Sequence, residues 1–213
     1  MYKPKVMLAA AVIAVLAGCS DIERSRNLAD PNVSAKTLAA QVCSNCHGLD
    51  GNSTSPAFPR LAGQQADYIV SQLSNFRGHE RMDPPGYQYM WGLSRHLSDA
   101  QIAGLAEYYS TQPVHRDPGK AEDAKQLAIG KEIFDKGLPD ANVIACSACH
   151  GPTGQGMAAF PRLANQHADY LLKQLNIFQN TQGRPGTPME TVVHPLTGPD
   201  KAAVAAYLQA FPQ

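Results

Sequence analysis

An all-α fold in two tandem domains is what the sequence predicts, on three grounds. Apolar residues recur at helical spacing and no period-2 alternation of any length appears. A block of sequence returns at a constant offset of 102 residues: Phe58-Pro59-Arg60-Leu61-Ala62 as Phe160-Pro161-Arg162-Leu163-Ala164, and Ala66-Asp67-Tyr68, Gln72-Leu73 and Phe76 as Ala168-Asp169-Tyr170, Gln174-Leu175 and Phe178. Each half also holds one CxxCH pentapeptide, Cys43-Ser44-Asn45-Cys46-His47 in the first and Cys146-Ser147-Ala148-Cys149-His150 in the second.

Taken in order, residues 1–18 read as an export signal, with Lys3 and Lys5 ahead of an apolar run from Val6 to Ala17. The run is too short for a membrane span, which needs roughly 20 apolar residues. Leu16-Ala17-Gly18-Cys19 resembles a bacterial lipobox, in which the cysteine is acylated and becomes the new N-terminus; the alternative is an ordinary cleaved signal with an incidental cysteine. Ser20 after Cys19 points, by analogy with enteric sorting, to the outer membrane. Residues 19–33 are a polar spacer.

The N-terminal domain spans 34–112. Ser34 caps a helix that carries Leu38 and Val42 into the first CxxCH, a middle helix starts near Gln65, and Ser98 or Asp99 caps a closing helix with Ile102, Leu105, Ala106 and Tyr109 inward. Residues 113–122 form a linker, rich in Pro, Gly and charge between Pro113 and Lys120. The C-terminal domain, 123–213, has a helix around Leu127 to Phe134 and then a loop, Gly137 to Ala145, without counterpart in the first half. A middle helix follows near His167, and a closing helix begins near Pro199-Asp200 with Val204, Tyr207 and Leu208 inward.

The two thiols of a CxxCH add across the vinyl groups of one haem, and the adjacent histidine then ligates the iron. At this chain's own residue frequencies chance yields about 0.004 such motifs per chain, so two in matching contexts are not accidental. A zinc site or a redox CxxC leaves the histidine directly after both motifs unexplained. Five cysteines thus divide into two haem pairs and Cys19. Cofactors are two covalently attached haem c groups, and each haem fills a domain too small to bury much apolar surface by itself. Glycine-rich loops after the motifs, Gly48 to Gly51 and Gly151 to Gly156, let the backbone turn closely there. Without residues 1–18 the chain carries 16 basic and 18 acidic residues, and no basic patch asks for nucleic acid.

The sixth iron ligand separates electron transfer from catalysis. A methionine sulfur opposite the histidine raises the reduction potential and closes the iron to substrates. Met90 lies seven residues before Leu97, and Met189 lies seven before Leu196, so these two share a spacing to the closing helices. Met82 competes in the first half, and His96 or His194 is an alternative to methionine. Met157 reads as packing, and His79, His96, His115, His167 and His194 all read first as surface or polar contacts.

With tandem CxxCH motifs, the repeated Phe-Pro-Arg-Leu-Ala and a methionine ahead of each closing helix, residues 34 to 213 resemble the cytochrome c4 family of dihaem class I cytochromes c. The resemblance implies two cytochrome c domains related by a pseudo-twofold, haems facing one another near the interface, and electron transfer between periplasmic or membrane-bound redox enzymes. It further implies that Pro59 and Pro161 offer carbonyls to the Nδ1 protons of His47 and His150. Arg60 and Arg162 become candidates for pairing with haem propionates, the alternative being exposed arginines without a partner; Tyr68 and Tyr170 are candidates too or else pack their helices, and Trp91 is expected to cover haem. The chain departs from many members in its lipobox-like anchor at Cys19 and in a lengthened segment from Arg77 to Tyr89.

The function expected is an electron carrier between a respiratory donor and a terminal oxidase or reductase, lipid-anchored on the periplasmic side, and not an enzyme. The alternative, a peroxidase-like or thiosulfate-oxidising dihaem enzyme or a gas-binding sensor, requires one open haem.

Overall fold

The computed structural model describes residues 27–84, 86–116, 123–180, 183–184 and 186–211. The signal segment, Cys19, the start of the expected spacer and most of the linker lie outside them. Among the described residues the secondary structure is helical, with two isolated β-bridges, Leu138 with Val143 and Met157 with Phe160. No helix among them is long and apolar enough to cross a membrane.

In the first half Ser34 accepts the Thr37 N–H at 3.1 Å and opens α1 (Ala35–Leu38), which runs through one π turn (Ala39–Cys43) into α2 (Ser44–His47). The middle helix α3 (Ala66–Arg77) follows, then α4 (Gly86–Ser94) and the closing helix α5 (Asp99–Ser110). Ser98 and Gln101 form a capping box at the start of α5, satisfying two backbone donors reciprocally. Ile102, Leu105, Ala106 and Tyr109 all face inward, as their spacing predicts, and pack with Leu38, Ala39, Ile69 and Leu97. Gln101 also donates to the carbonyls of Asp30 and Val33, both at 3.0 Å. The last residues of the expected spacer are therefore docked on this domain, with Val33 buried.

In the second half Asp123 caps α6 (Ala124–Lys136), and α7 (Ser147–His150), α8 (Ala168–Gln179), α9 (Met189–Val193) and α10 (Gly198–Gln209) follow. The sequence places the start of α10 near Pro199-Asp200; the cap itself is Thr197, in a capping box with Asp200. Phe134, Tyr207 and Phe211 form an aromatic cluster with ring centroids 5.2–5.9 Å apart, joined in the core by Ile133, Leu171, Val193 and Val204. The Gly137 to Ala145 loop closes on itself: Leu138 and Val143 exchange backbone hydrogen bonds at 2.9 and 3.0 Å, which buries Val143 in the core. Met157, expected to pack, is instead 55% exposed, because its backbone pairs with Phe160 in a tight turn on the surface.

Candidate haem centres

Each CxxCH forms the last turn of a short helix. The i, i+3 spacing of the cysteines puts both thiols of a motif on one face. As free side chains, the Cys43 and Cys146 thiols are pushed up to about 11 by burial. His47 and His150 are buried, and each donates Nδ1–H to a proline carbonyl, His47 to Pro59 and His150 to Pro161, both at 2.9 Å. That bond fixes the tautomer and leaves Nε2 as the ring's acceptor nitrogen, with its lone pair directed away from the proline. Burial lowers the pKa of both imidazoles, against the opposing effect of the proline carbonyl, and so favours the neutral ring. The edge of a phenylalanine approaches each ring, Phe58 at 6.3 Å and Phe160 at 6.2 Å.

The glycine loops explain why the proline carbonyls sit where they do. The Gly51 carbonyl accepts the N–H groups of Leu61 (2.7 Å) and Ala62 (3.1 Å), and the Gly154 carbonyl accepts those of Leu163 (2.8 Å) and Ala164 (3.0 Å). Gly51 has φ +77, and a Cβ there would lie 2.8 Å from both the Ala62 nitrogen and the Tyr109 ring. The loop after each CxxCH thus pins the Phe-Pro-Arg-Leu-Ala segment, and that segment holds the histidine.

Met90 lies on α4, its carbonyl accepting from Ser94 Oγ at 2.6 Å, and Met189 opens α9; both are half-buried, and Met189 packs against the second core. The shared spacing to Leu97 and Leu196 ends at equivalent places, since both leucines are buried and both donate their N–H three residues back, to Ser94 and Val193. Met82 is 45% exposed, and its N–H bonds to the Gly183 carbonyl of the second half. His79, His96, His115 and His194 are exposed, whereas His167 is buried with Nε2 donating to the Ser53 carbonyl at 2.8 Å. Trp91 is half-buried between the His79 ring at 4.8 Å and the Arg95 guanidinium at 5.0 Å.

The family model described as Cytochrome c matches residues 33–112 and 127–211, one copy over each half. A cytochrome c4 of Thiocapsa roseopersicina is 39% identical over 192 residues, covering 86% of this chain and 94% of that protein. The chain belongs to the cytochrome c4 family. The crystal structure of reduced recombinant cytochrome c4 from Pseudomonas stutzeri superposes with a TM-score of 0.74 at 32% identity, over 86% of this chain and 99% of that one. A thiosulfate dehydrogenase electron acceptor of Stutzerimonas stutzeri is 34% identical over 175 residues, 79% of this chain and 78% of that protein. As a cytochrome c4 the protein carries two covalent haem c groups and is an electron carrier, not an enzyme.

The residues present fit two haems. Each half supplies a thiol pair and an imidazole with one nitrogen engaged, and the Arg162 Nε is buried without a hydrogen-bond partner, a donor that an anionic group could satisfy. Among the described residues no group of three or more His, Cys, Asp or Glu side chains could hold a separate metal ion. Arg60 and Arg162, candidates for the propionates, lie where the domains meet, and Arg60 is buried there instead of exposed. Arg60 donates Nε to the Ser53 carbonyl at 3.3 Å and Nη1 to the Asn165 carbonyl of the other half at 2.8 Å.

Sequence reasoning missed the residues that join the halves. Gln64 and Gln166, Gln72 and Gln174, and Arg81 and Arg184 face across the interface as pseudo-twofold mates. Tyr68 and Tyr170 belong to the same network, each hydroxyl lying 3.4 Å from a guanidinium nitrogen of the opposite half, Arg184 for Tyr68 and Arg81 for Tyr170. Four of the six missed residues sit inside the 102-residue repeat and were legible as recurring positions.

Proposed function

We propose that both irons are ligated by histidine and methionine, His47 with Met90 and His150 with Met189, and that the protein relays single electrons through one haem to the other. The observation that carries this reading is the matched pair of Nδ1 bonds, His47 to Pro59 and His150 to Pro161, which gives both halves the same neutral, oriented imidazole. The half-buried, equally spaced methionines support the distal assignment, and the exposure of Met82 weighs against it as a competitor. In this reading Arg162, whose buried Nε has no hydrogen-bond partner, is a guanidinium suited to a haem propionate, while Arg60 gives Nε and Nη1 to backbone carbonyls.

The partners are redox proteins, and cytochromes of this family are periplasmic. A respiratory donor and a terminal oxidase or reductase are the proposed partners, and a thiosulfate-oxidising dehydrogenase is a donor of the right class. Acylation at Cys19 supplies the multiple chains that stable membrane residence requires and keeps the carrier on the periplasmic face, in the outer membrane by the Ser20 analogy. The purified protein should contain two haems by intact mass, show two one-electron waves and refuse carbon monoxide in the ferrous state. Carbon monoxide binding to one haem of undamaged protein would overturn the ligand reading, and a Cys19→Ala variant still in the membrane fraction would remove the anchor.

A further inference from the structure

The peptide groups that orient the two histidines are each held from the opposite domain. The Pro59 carbonyl accepts His47 Nδ1–H at 2.9 Å, and the N–H of that same peptide, on Arg60, donates to Gln166 Oε1 at 2.8 Å. The mirror arrangement has the Pro161 carbonyl accepting from His150 at 2.9 Å while the Arg162 N–H donates to Gln64 Oε1 at 2.7 Å. Each glutamine completes a ring by donating Nε2 to the carbonyl of the same arginine, Gln166 to Arg60 at 2.9 Å and Gln64 to Arg162 at 3.1 Å. Both glutamines are 6% exposed, so water does not replace these bonds.

We propose that Gln166 and Gln64 are positioning residues that tune the axial histidine of the opposite domain, Gln166 acting on His47 and Gln64 on His150. The inference rests on the reading of these histidines as iron ligands. A peptide whose N–H is accepted by a good acceptor becomes a stronger acceptor at its own carbonyl, because hydrogen bonds in a chain polarise one another. A stronger pull on the Nδ1 proton makes the imidazole a better donor to iron, favours the ferric state and lowers the potential. The neutral amide suits this task. It reads the N–H and the C=O of one arginine together, and it adds no charge beside Arg60 and Arg162.

The arrangement also ties each potential to docking. The bond to Gln166 exists only while the second domain sits on the first, so His47 senses the presence of the other half through a single peptide plane.

The test uses the intact holoprotein with Gln166→Leu and Gln64→Leu, near-isosteric exchanges that remove both ends of the amide. Redox titration with the haems assigned by NMR, together with the resonance of each axial Nδ1 proton, gives the readout. Gln166→Leu should raise the potential of the haem held by Cys43 and Cys46, and shift the His47 Nδ1 proton, several times more than it alters the haem of its own domain. Gln64→Leu should give the crossed result at His150. A shift confined to the mutated domain, no shift at either haem, or equal shifts at both haems in both variants overturns the proposal, the last because simple undocking produces it. Near-infrared magnetic circular dichroism of the unmodified protein reports the axial ligands separately. If imidazole ligation is absent there, the underlying reading fails; if it is present without crossed shifts, this inference alone fails.

Discussion

Arg81 of the first domain and Arg184 of the second bind the same two acceptors across the interface. Gln72 Oε1 accepts from Arg81 Nη1 at 2.7 Å and from Arg184 Nη2 at 3.0 Å, and Gln174 Oε1 accepts from Arg81 Nη2 at 3.3 Å and from Arg184 Nη1. Each guanidinium lies over a phenylalanine of its own domain at 4.5 Å, Arg81 over Phe76 and Arg184 over Phe178. Two like charges held this close need a counter-ion. Asp83 supplies it, with Oδ1 2.6 Å from Arg81 Nε and Oδ2 3.3 Å from Gln174 Nε2.

Asp83→Asn should therefore destabilise the protein by about 3 kcal/mol, since it leaves a buried guanidinium without its partner. Exchanging both members, Arg81→Met with Asp83→Leu, should cost less than the sum of the single changes in chemical denaturation. Burial alone opposes ionisation of Asp83, but the hydrogen bond and charge of Arg81, with help from Arg184 and Gln174, hold its carboxyl below the usual range. A depressed folded-state pKa means stability that is present above the unfolded value and lost as pH falls through the folded one. The acid limb of the stability curve below the ordinary carboxylate range should accordingly be shallower in Asp83→Asn; an unchanged limb would remove Asp83 from the account.

Substitution of the proposed distal ligands should act one haem at a time. Met189→Ala should abolish the sulfur-to-iron charge-transfer band of one haem, lower its potential and admit carbon monoxide, with Met90→Ala doing the same at the other. Met82→Ala, removing an exposed side chain, should leave both spectra intact. Loss of a charge-transfer band in Met82→Ala, with none in Met90→Ala, reverses the assignment.

The first, middle and closing helices of each half were legible because periodicity and capping residues are local signals, which is why Ile102, Leu105 and Tyr109 fall inward as expected, whereas the short α4 and α9 were not foreseen. The docking of the halves was not. Gln64 and Gln166 bond to backbone atoms of the opposite domain, and a hydrogen bond to backbone demands no particular side chain on the other side, so no complementary residue betrays it. Arg81 and Arg184 stand 103 residues apart and escape a search at 102, and Asp83 has no counterpart because Gly186 occupies the equivalent place. Met157 misled for a related reason: an apolar side chain in the loop between the haem motif and Phe160 reads as packing, yet the turn it belongs to closes through its backbone.

Packing of first against last helix should differ in tolerance between the halves. A Cβ on Gly130 of α6 would lie 2.1 Å from the Ala203 carbonyl oxygen and 2.7 Å from Tyr207 Cβ, so α10 itself would have to move. On Gly104 of α5 it would meet one atom, Ala35 Cβ, at 2.7 Å. Replacing glycine by alanine inside a helix gains roughly 0.5–1 kcal/mol, whereas overpacking costs about 1–3 kcal/mol. Gly130→Ala should thus lower the melting temperature clearly and Gly104→Ala much less; equal losses would mean that the α6–α10 crossing is not the tighter one.

The linker should matter little to electron exchange between the haems, because the interface and not the tether holds the domains together. Asn52 of the first domain fixes the start of the linker, donating to the Pro113 carbonyl at 2.9 Å and accepting the His115 N–H at 2.8 Å. Beyond the tether, the halves share the paired glutamine rings, the arginine network, and the matched bonds of Gln65 to the Gln155 carbonyl (2.8 Å) and His167 to the Ser53 carbonyl (2.8 Å). Doubling the length of a flexible connection weakens an intramolecular contact by only about 0.6 kcal/mol, roughly threefold. A glycine-serine insertion between Asp117 and Lys120 should therefore leave intramolecular electron exchange after rapid partial reduction within about threefold of the parent rate. Domains strung together without a lasting interface would instead exchange more slowly with each added residue. A steep dependence of the rate on insertion length is the result that would reject a persistently docked pair.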